Sequence, residues 1–383
     1  MPSLRLLFGD DAEIVRETNF QVLLLSTTLP VLGSSLVSPV LESLVGPFGT
    51  SVADIGLMVA AFTAPAVVMI PVAGALADRY GRKAILVASL VLFGTAGAAI
   101  AFTTDYRVVL ALRLLQGVAF GGINPVIITS IGDLYSGARE ATGQGLRFMA
   151  SGLSGAVVPL VSGVLVLLSW RYPFLLYALA LPVAGVVYRW FEEPTATGTA
   201  PLTDGGEGVS YRRALLREVT RRHVLAVLLA RSMPNVVWIG FVTYNSFLVV
   251  RLMGGTHPEA GLLFAAGSLV FASAASQAGR ITARFSSRLY PLVGANALLG
   301  VGFVLVLFAP GLAVAAVGIS VAGVGFGVLL SLYRSVVTGL APTHLRAGVV
   351  SVGEAGGRLT STLTPIAMGA VIALARPTLG FAR

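Results

Sequence analysis

The apolar positions of this chain fall into runs of about 20 residues, set apart by short polar and charged breaks. The runs lie near residues 20–46, 54–76, 84–103, 107–132, 141–168, 171–189, 223–250, 259–279, 289–309, 312–333 and 347–374. A helix needs about 20 mostly apolar residues to cross the hydrocarbon core of a bilayer. The pattern therefore predicts eleven membrane-spanning helices. Pro30, Pro65, Pro125, Pro159, Pro234 and Pro365 lie inside the runs. In a membrane bundle, neighbouring helices satisfy the backbone groups that such prolines free. The first run is too long for a signal-peptide core and lacks a short basic lead, so it is expected to stay in the mature protein. Residues 192–222 interrupt the pattern. They are first Pro/Thr/Gly-rich, then Arg-rich, and read as a linker.

Gly117-Val118-Ala119-Phe120-Gly121 recurs as Gly323-Val324-Gly325-Phe326-Gly327, an offset of 206 residues. The same offset aligns Gly94 with Gly300, Pro159 with Pro365 and Gly163 with Gly369. Several coincidences at one offset across three helices indicate an internal repeat. Six spans per repeat keep both halves in one orientation, the parallel-repeat arrangement found in secondary transporters. The expected fold class is an all-α integral membrane protein of two pseudo-symmetric six-helix-type bundles. Residues 1–191 form the first, 192–222 a cytoplasmic linker, and 223–383 a second bundle with five visible helices. By the repeat, the sixth span, opening at Trp170-Arg171, predicts a twelfth that begins near residue 376. The sequence ends at Arg383, so either it is truncated or the protein works with eleven spans and an outside C-terminus. A non-transporting membrane protein is a further alternative.

Composition agrees with this class. Only 11% of residues are charged, against roughly a quarter in soluble domains. Cysteine is absent, so no disulfide framework is possible. The net charge of +9 is dispersed along the chain, which points to membrane orientation and away from nucleic acid. With the N-terminus in the cytoplasm, the cytoplasmic segments hold 18 basic residues and the outer segments 5. That split follows the positive-inside rule and predicts a multi-pass protein of the cell membrane. Arg113, Arg231 and Arg358 remain inside spans.

The loop after the second span reads Gly74-Ala75-Leu76-Ala77-Asp78-Arg79-Tyr80-Gly81-Arg82-Lys83. This resembles the signature of the major facilitator superfamily between its second and third helices. The resemblance covers nearly the whole chain and implies two helical bundles rocking about a central site. Glycines there let two helices meet closely, and the acid and bases can pair with neighbouring helix ends. Ordinary positive-inside charge would not demand Gly74, Asp78 and Gly81 together. The matching loop of the second half keeps Gly279, Arg280, Arg284 and Arg288 but has Ala283 where Asp78 stands. Asp133, at the end of the fourth span, resembles the acid that pairs with this gate loop in relatives, and Arg139 precedes the next helix. Solvated loop charge explains those two as well.

Arg113-Leu114-Leu115-Gln116-Gly117 looks like the superfamily's second motif. A charge at the bilayer centre costs at least ~2.5 kcal/mol, so Arg113 should face a cavity or a partner. The resemblance implies proton coupling or substrate contact for it; a structural arginine bonded to carbonyls is the alternative. In the fifth span, Gly145, Pro159 and Gly163 match the spacing of the proton-coupled antiporters of this superfamily, while Val158 departs from it. Generic small-residue packing is the alternative there.

Glu354 and Arg358 lie four residues apart in the eleventh span, where they can neutralise each other. Burial disfavours a carboxylate's charge, so Glu354 is also a candidate proton site. Arg231, Asn235, Trp238 and Asn245 make the seventh span polar. They suit either a cavity for a partly apolar solute or bonding between helices. Glu42, near the outer end of the first span, is a weaker candidate. No Gly-Lys-Ser/Thr occurs, because the one lysine, Lys83, is followed by Ala84; ATP hydrolysis by this chain is not expected. His223, His257 and His344 are scattered and suggest no metal site.

The expectation is a secondary active transporter, not an enzyme, moving small, partly apolar solutes outward in a proton-coupled cycle. An organic anion or polar metabolite is the alternative cargo, motivated by Arg113, Arg231 and Arg358 against Glu354. Its partners are a small-molecule substrate, protons and the lipid bilayer; it is expected to be a monomer without cofactor, metal or nucleic acid.

Overall fold

A computed structural model describes residues 9–193, 207–340 and 345–379. Among them are eleven helices long and apolar enough to cross a membrane. In the first half these are α1 (Thr18–Ser35), α2 (Leu57–Tyr80), α3 (Arg82–Ala99), α4 (Tyr106–Leu134), α5 (Gly137–Leu168) and α6 (Ala180–Trp190), the last completing a span that opens at Tyr172 with two short helical turns. In the second half they are α7 (Arg222–Phe247), α8 (His257–Ala283), α9 (Leu289–Leu307), α10 (Leu312–Leu340) and α11 (Arg346–Leu379). The Arg-rich end of the linker is itself helical, Glu207–Val219. Its Leu215 and Val219 pack near Val224, Leu228 and Val349 at the start of the second half.

Local chemistry sets the helix ends. Asp105 accepts a bond from the Arg107 N–H and opens α4. Thr256 and Glu259 form a capping box at the start of α8. Gly81, at φ +94°, turns the chain from α2 into α3. The first apolar run departs from its expected course. The α-helix stops near Ser35, and 3-10 turns follow at Ser38–Val40 and Glu42–Leu44. Pro39 has no N–H to carry the helical ladder on. The first of these turns is buried against α5, α7 and α8.

The repeat has a packing cause. A Cβ on Gly117 would stand 2.3 Å from the Phe62 carbonyl oxygen, so glycine lets α4 press on α2. The matching Gly323 brings α10 onto α8, where a Cβ would stand 2.9 Å from the Gly267 oxygen. Close backbone approach through small residues is how membrane helices associate without a hydrophobic drive. Gly94 packs against Ala180 and Tyr177; its counterpart Gly300 has no described atom within 4 Å of a Cβ position.

Two helix pairs join the halves, α5 with α8 and α2 with α11. They close at the far end, away from the gate segment 74–83. That segment is not the loop expected from sequence: α2 runs on to Tyr80, Gly81 alone makes the turn, and α3 starts at Arg82. A Cβ on Gly261 would stand 2.4 Å from the Pro159 oxygen, and one on Gly163 2.6 Å from the His257 oxygen. Across the pseudo-symmetry, a Cβ on Gly369 would stand 2.3 Å from the Ala53 oxygen. Arg251 donates to Glu42 at 2.8 Å, Ser246 Oγ accepts from the Glu42 N–H at 3.1 Å, and His257 Nδ1 lies 3.1 Å from the Pro39 oxygen. Nearer mid-membrane, Thr63 and Thr362 hydroxyls meet at 3.1 Å.

Candidate functional site

A cavity of about 210 Å³ opens where α7, α10 and α11 diverge, on the gate-loop side of these contacts. Arg231, Asn235, Tyr333, Glu354 and Arg358 supply its polar lining; Pro234, Phe326, Leu329 and Leu330 supply apolar walls. Since the far end is shut, the cavity is reached from the gate-loop end.

Arg231 and Glu354 form an ion pair at 2.5 Å. The arginine side chain is only 8% exposed, while Glu354 is 46% exposed toward the cavity. Expected as a self-contained Glu354–Arg358 pair, the cluster instead engages a third residue on a neighbouring helix. Three or four residues along a helix are neighbours, but α7 packs against α11 and brings Arg231 to the same carboxylate. Glu354 also interacts electrostatically with Arg358. Arg231 Nη1 lies against Gly353, where a Cβ would approach to 2.4 Å, and has no hydrogen-bond partner. The Arg358 guanidinium sits 5.3 Å from the centre of the Phe120 ring on α4 of the first half. Asn235 donates to the Gly357 carbonyl at 3.1 Å and ties α7 to α11 at the cavity.

Trp238 and Asn245, grouped with Asn235 by helical spacing, point elsewhere. Trp238 stacks on Phe326 at 4.7 Å between centroids and belongs to the second-half core. Asn245 is fully buried and donates to the Ala260 carbonyl at 2.8 Å, pinning α7 to α8.

Arg113 and Gln116 also lie outside the cavity. Arg113 is fully buried and donates to Met58 O, Gln116 Oε1, Tyr177 Oη and Gly33 O, at 3.0, 3.0, 3.0 and 2.7 Å. Its guanidinium lies 4.8 Å from the Phe62 ring centre. Uncharged oxygens from α1, α2, α4 and the entry to α6 surround it, which is the arrangement that makes a buried cation tolerable.

At the gate loop, Arg82 bridges Asp78 at 2.7 Å and Asp133 at 2.9 Å. Glu193, which the sequence did not single out, accepts from the Arg82 N–H and, at 2.9 Å, from the Lys83 N–H. A carboxylate there satisfies the orphan donors that begin α3 and meets the positive end of the helix. Lys83 extends over Tyr188, and Arg79 over Tyr80. Arg139 pairs with Glu17 at 2.6 Å rather than with the gate loop. Tyr135 donates to the same carboxylate at 2.7 Å, and burial followed by that bond pushes its phenol up from the ordinary tyrosine range. Gly74 meets nothing within 4 Å, and Asp78 is 68% exposed. The close approach expected of this loop is not made while the halves are apart at its end. Of the second-half counterparts, the surroundings of Gly279 and the side chains of Arg280 and Ala283 lie outside what is described.

In α5, Pro159 and Gly163 lie on the α8 seam. Ser162, buried beside them, donates to the Leu36 carbonyl at 2.5 Å. Gly145 is half-buried nearer the gate-loop end.

A family model described as the Major Facilitator Superfamily matches residues 23–374. The chain belongs to the Major Facilitator Superfamily. The bacillibactin exporter of Bacillus subtilis is 34% identical over 150 residues, 37% of each chain. The match thus spans little more than a third of that relative's length. The 3-(3-hydroxy-phenyl)propionate transporter of Escherichia coli is 27% identical over 321 residues, 81% of this chain and 75% of the relative. The quinolone resistance protein NorA of Staphylococcus aureus is 30% identical over 155 residues, 40% of this chain and 39% of that protein. Among solved structures, a bacterial homologue of the human lysosomal transporter Spinster, inward-facing and unoccupied, superimposes with a TM-score of 0.81 at 20% identity, over 94% of this chain and 83% of that one. The D-xylose–proton symporter gives 0.72 at 16% identity, over 92% and 89%. At these identities the structures share the fold. The chain thus has the fold of this superfamily with eleven candidate membrane spans among its described residues, and its relatives include a named exporter and a named resistance protein.

Proposed function

We propose that this chain is a proton-coupled exporter of small, partly apolar solutes, working by alternating access as a monomer. The observation that carries this reading is the cavity between α7, α10 and α11, with an Arg231–Glu354 pair inside membrane-spanning helices. Intramembrane charges are functional by default, because leaving them there is costly. The gate-loop end is the cytoplasmic end by its basic residues, and the cavity opens toward it, ready to take up an internal solute. Names among the relatives, an exporter and a resistance protein, support the outward direction.

In this cycle the solute enters from the gate-loop end, the halves close there, and the glycine-lined far end parts. Arg82, Asp78, Asp133 and Glu193 organise the closing loop. Glu354 carries the proton, and its charge decides how firmly Arg231 is held. Ligands and protons bias such an equilibrium only through different affinities for the two states. Vesicles containing the purified chain, given a pH gradient and a fluorescent efflux substrate, test this. Wild type should show gradient-driven flux and Glu354→Gln should lose it. Full pH-driven flux in Glu354→Gln would overturn the assignment.

A further inference from the structure

We infer that the cargo is an organic anion, a small carboxylate on an aromatic or otherwise apolar body, and that it binds together with a proton on Glu354. This rests on the cavity being the solute site, and it names what that site takes.

Among the described lining residues, two guanidiniums, Arg231 and Arg358, face one carboxylate, Glu354. A cationic cargo would meet a net positive wall whose single acid is already engaged at 2.5 Å. An anion meets the reverse. Arg231 is 8% exposed, its Nη2 is engaged by Glu354 and its Nη1 is buried against Gly353. It contributes positive charge, while Arg358 is the guanidinium that meets the cargo. Arg358 lines the cavity with its guanidinium held over the Phe120 ring. Planar guanidinium forks match carboxylates bidentately. Phe326, Leu329, Leu330 and Tyr333 line the remaining wall. The volume of about 210 Å³ exceeds the ~150 Å³ that holds a benzene ring in an apolar protein cavity. One ring with a short acid arm fits this volume.

The sign of proton coupling follows from charge. Glu354 and a carboxylate cargo compete for Arg358. A proton on Glu354 removes the competitor and raises the cavity's formal charge from +1 to +2, so proton and anion favour each other. Acid and proton then leave together, electroneutrally, driven by the cargo's own gradient. This differs from the exchange implied by the fifth-span spacing.

Melting of the purified full chain in detergent, with benzoate, benzylamine or benzyl alcohol between about pH 6 and 8, where benzoate stays ionised, tests the inference. Ligand affinity is read from the stabilisation. Benzoate should bind at least about tenfold tighter than either competitor, by an ion pair the others cannot make. Its affinity should rise as pH falls, by up to about tenfold per unit for one proton taken up. Arg358→Gln should lose benzoate binding, and Arg358→Lys should keep part of it. If benzylamine or benzyl alcohol binds as well as benzoate, the anion is wrong and the cavity reading stands. Benzoate binding that is flat with pH, or unchanged by a folded Arg358→Gln, also overturns the inference. If nothing binds and vesicles show no flux, the proposed function falls with it.

Discussion

Replacing Gly261 by alanine tests whether backbone contact between α5 and α8 closes the far end. The new Cβ would stand 2.4 Å from the Pro159 carbonyl oxygen and 3.0 Å from its carbon, whereas ordinary contact begins near 3.4 Å. The obstacles are backbone atoms of a packed helix, so no side chain can swing aside. One helix has to withdraw by about 1 Å, and overpacking of this kind costs about 1–3 kcal/mol. By the alternating-access reading the contact exists only while the far end is shut. The cost then falls on one state and lowers the closed-to-open ratio by about 5- to 150-fold. The chain contains no cysteine, so a single reporter can be placed without background. Ser38 suits this: it is 1% exposed, its hydroxyl has no hydrogen-bond partner, and it lies in the turn buried against α7 and α8. In Ser38→Cys protein, adding Gly261→Ala should raise the rate of labelling by a water-soluble maleimide at least about fivefold, by the lower limit of that cost. Gly117→Ala is the control. Its Cβ clashes within one half, at 2.3 Å from the Phe62 oxygen, in both states. It should lower the melting temperature and leave the labelling rate alone. Equal labelling with and without Gly261→Ala, or equal acceleration by Gly117→Ala, refutes the reasoning.

Arg113→Met should destabilise the first half by more than about 3 kcal/mol, because several buried oxygens lose their donor; thermal unfolding in detergent measures it, and Arg113→Lys should rescue little, since its three donors lack the fork geometry. Arg139→Ala should cost under about 1 kcal/mol in the same assay, because its pair with Glu17 is half-exposed on both sides. Gly353→Ala should push the Arg231 guanidinium off α11 and weaken its hold on Glu354, lowering flux in vesicles while expression and melting change less than in Arg113→Met.

Much of this chain is legible in one dimension. Length and polarity of the runs identify the spans, since a bilayer demands about 20 apolar residues wherever a helix crosses. The repeat was readable for a related reason. Glycines at Gly117, Gly163, Gly323 and Gly369 are required by backbone-to-backbone contacts, which tolerate no side chain and so leave a mark at a fixed offset. Arg82 with Asp78 and Asp133 was readable because the signature places charge at a defined helix junction. Partnerships across the fold were not readable. Glu193 and Glu17 lie 111 and 122 residues from Arg82 and Arg139, and an acid in a loop looks the same whether solvated or capping a distant helix. Glu42 reads as a cheap interfacial acid in sequence, yet the turn after α7, Leu248–Leu252, brings Arg251 to it.

The same divide runs through the charges inside the membrane. Sequence alone determines that Arg113, Arg231, Glu354 and Arg358 must each find partners, because hydrocarbon offers none. Only the tertiary structure decides which. It surrounds Arg113 with carbonyl and side-chain oxygens and seals it, and it sets Arg231 and Arg358 around Glu354 at an open cavity. The cost of an unpartnered charge is a property of one residue. The partner that removes it is a property of how two helices, far apart in the chain, are packed.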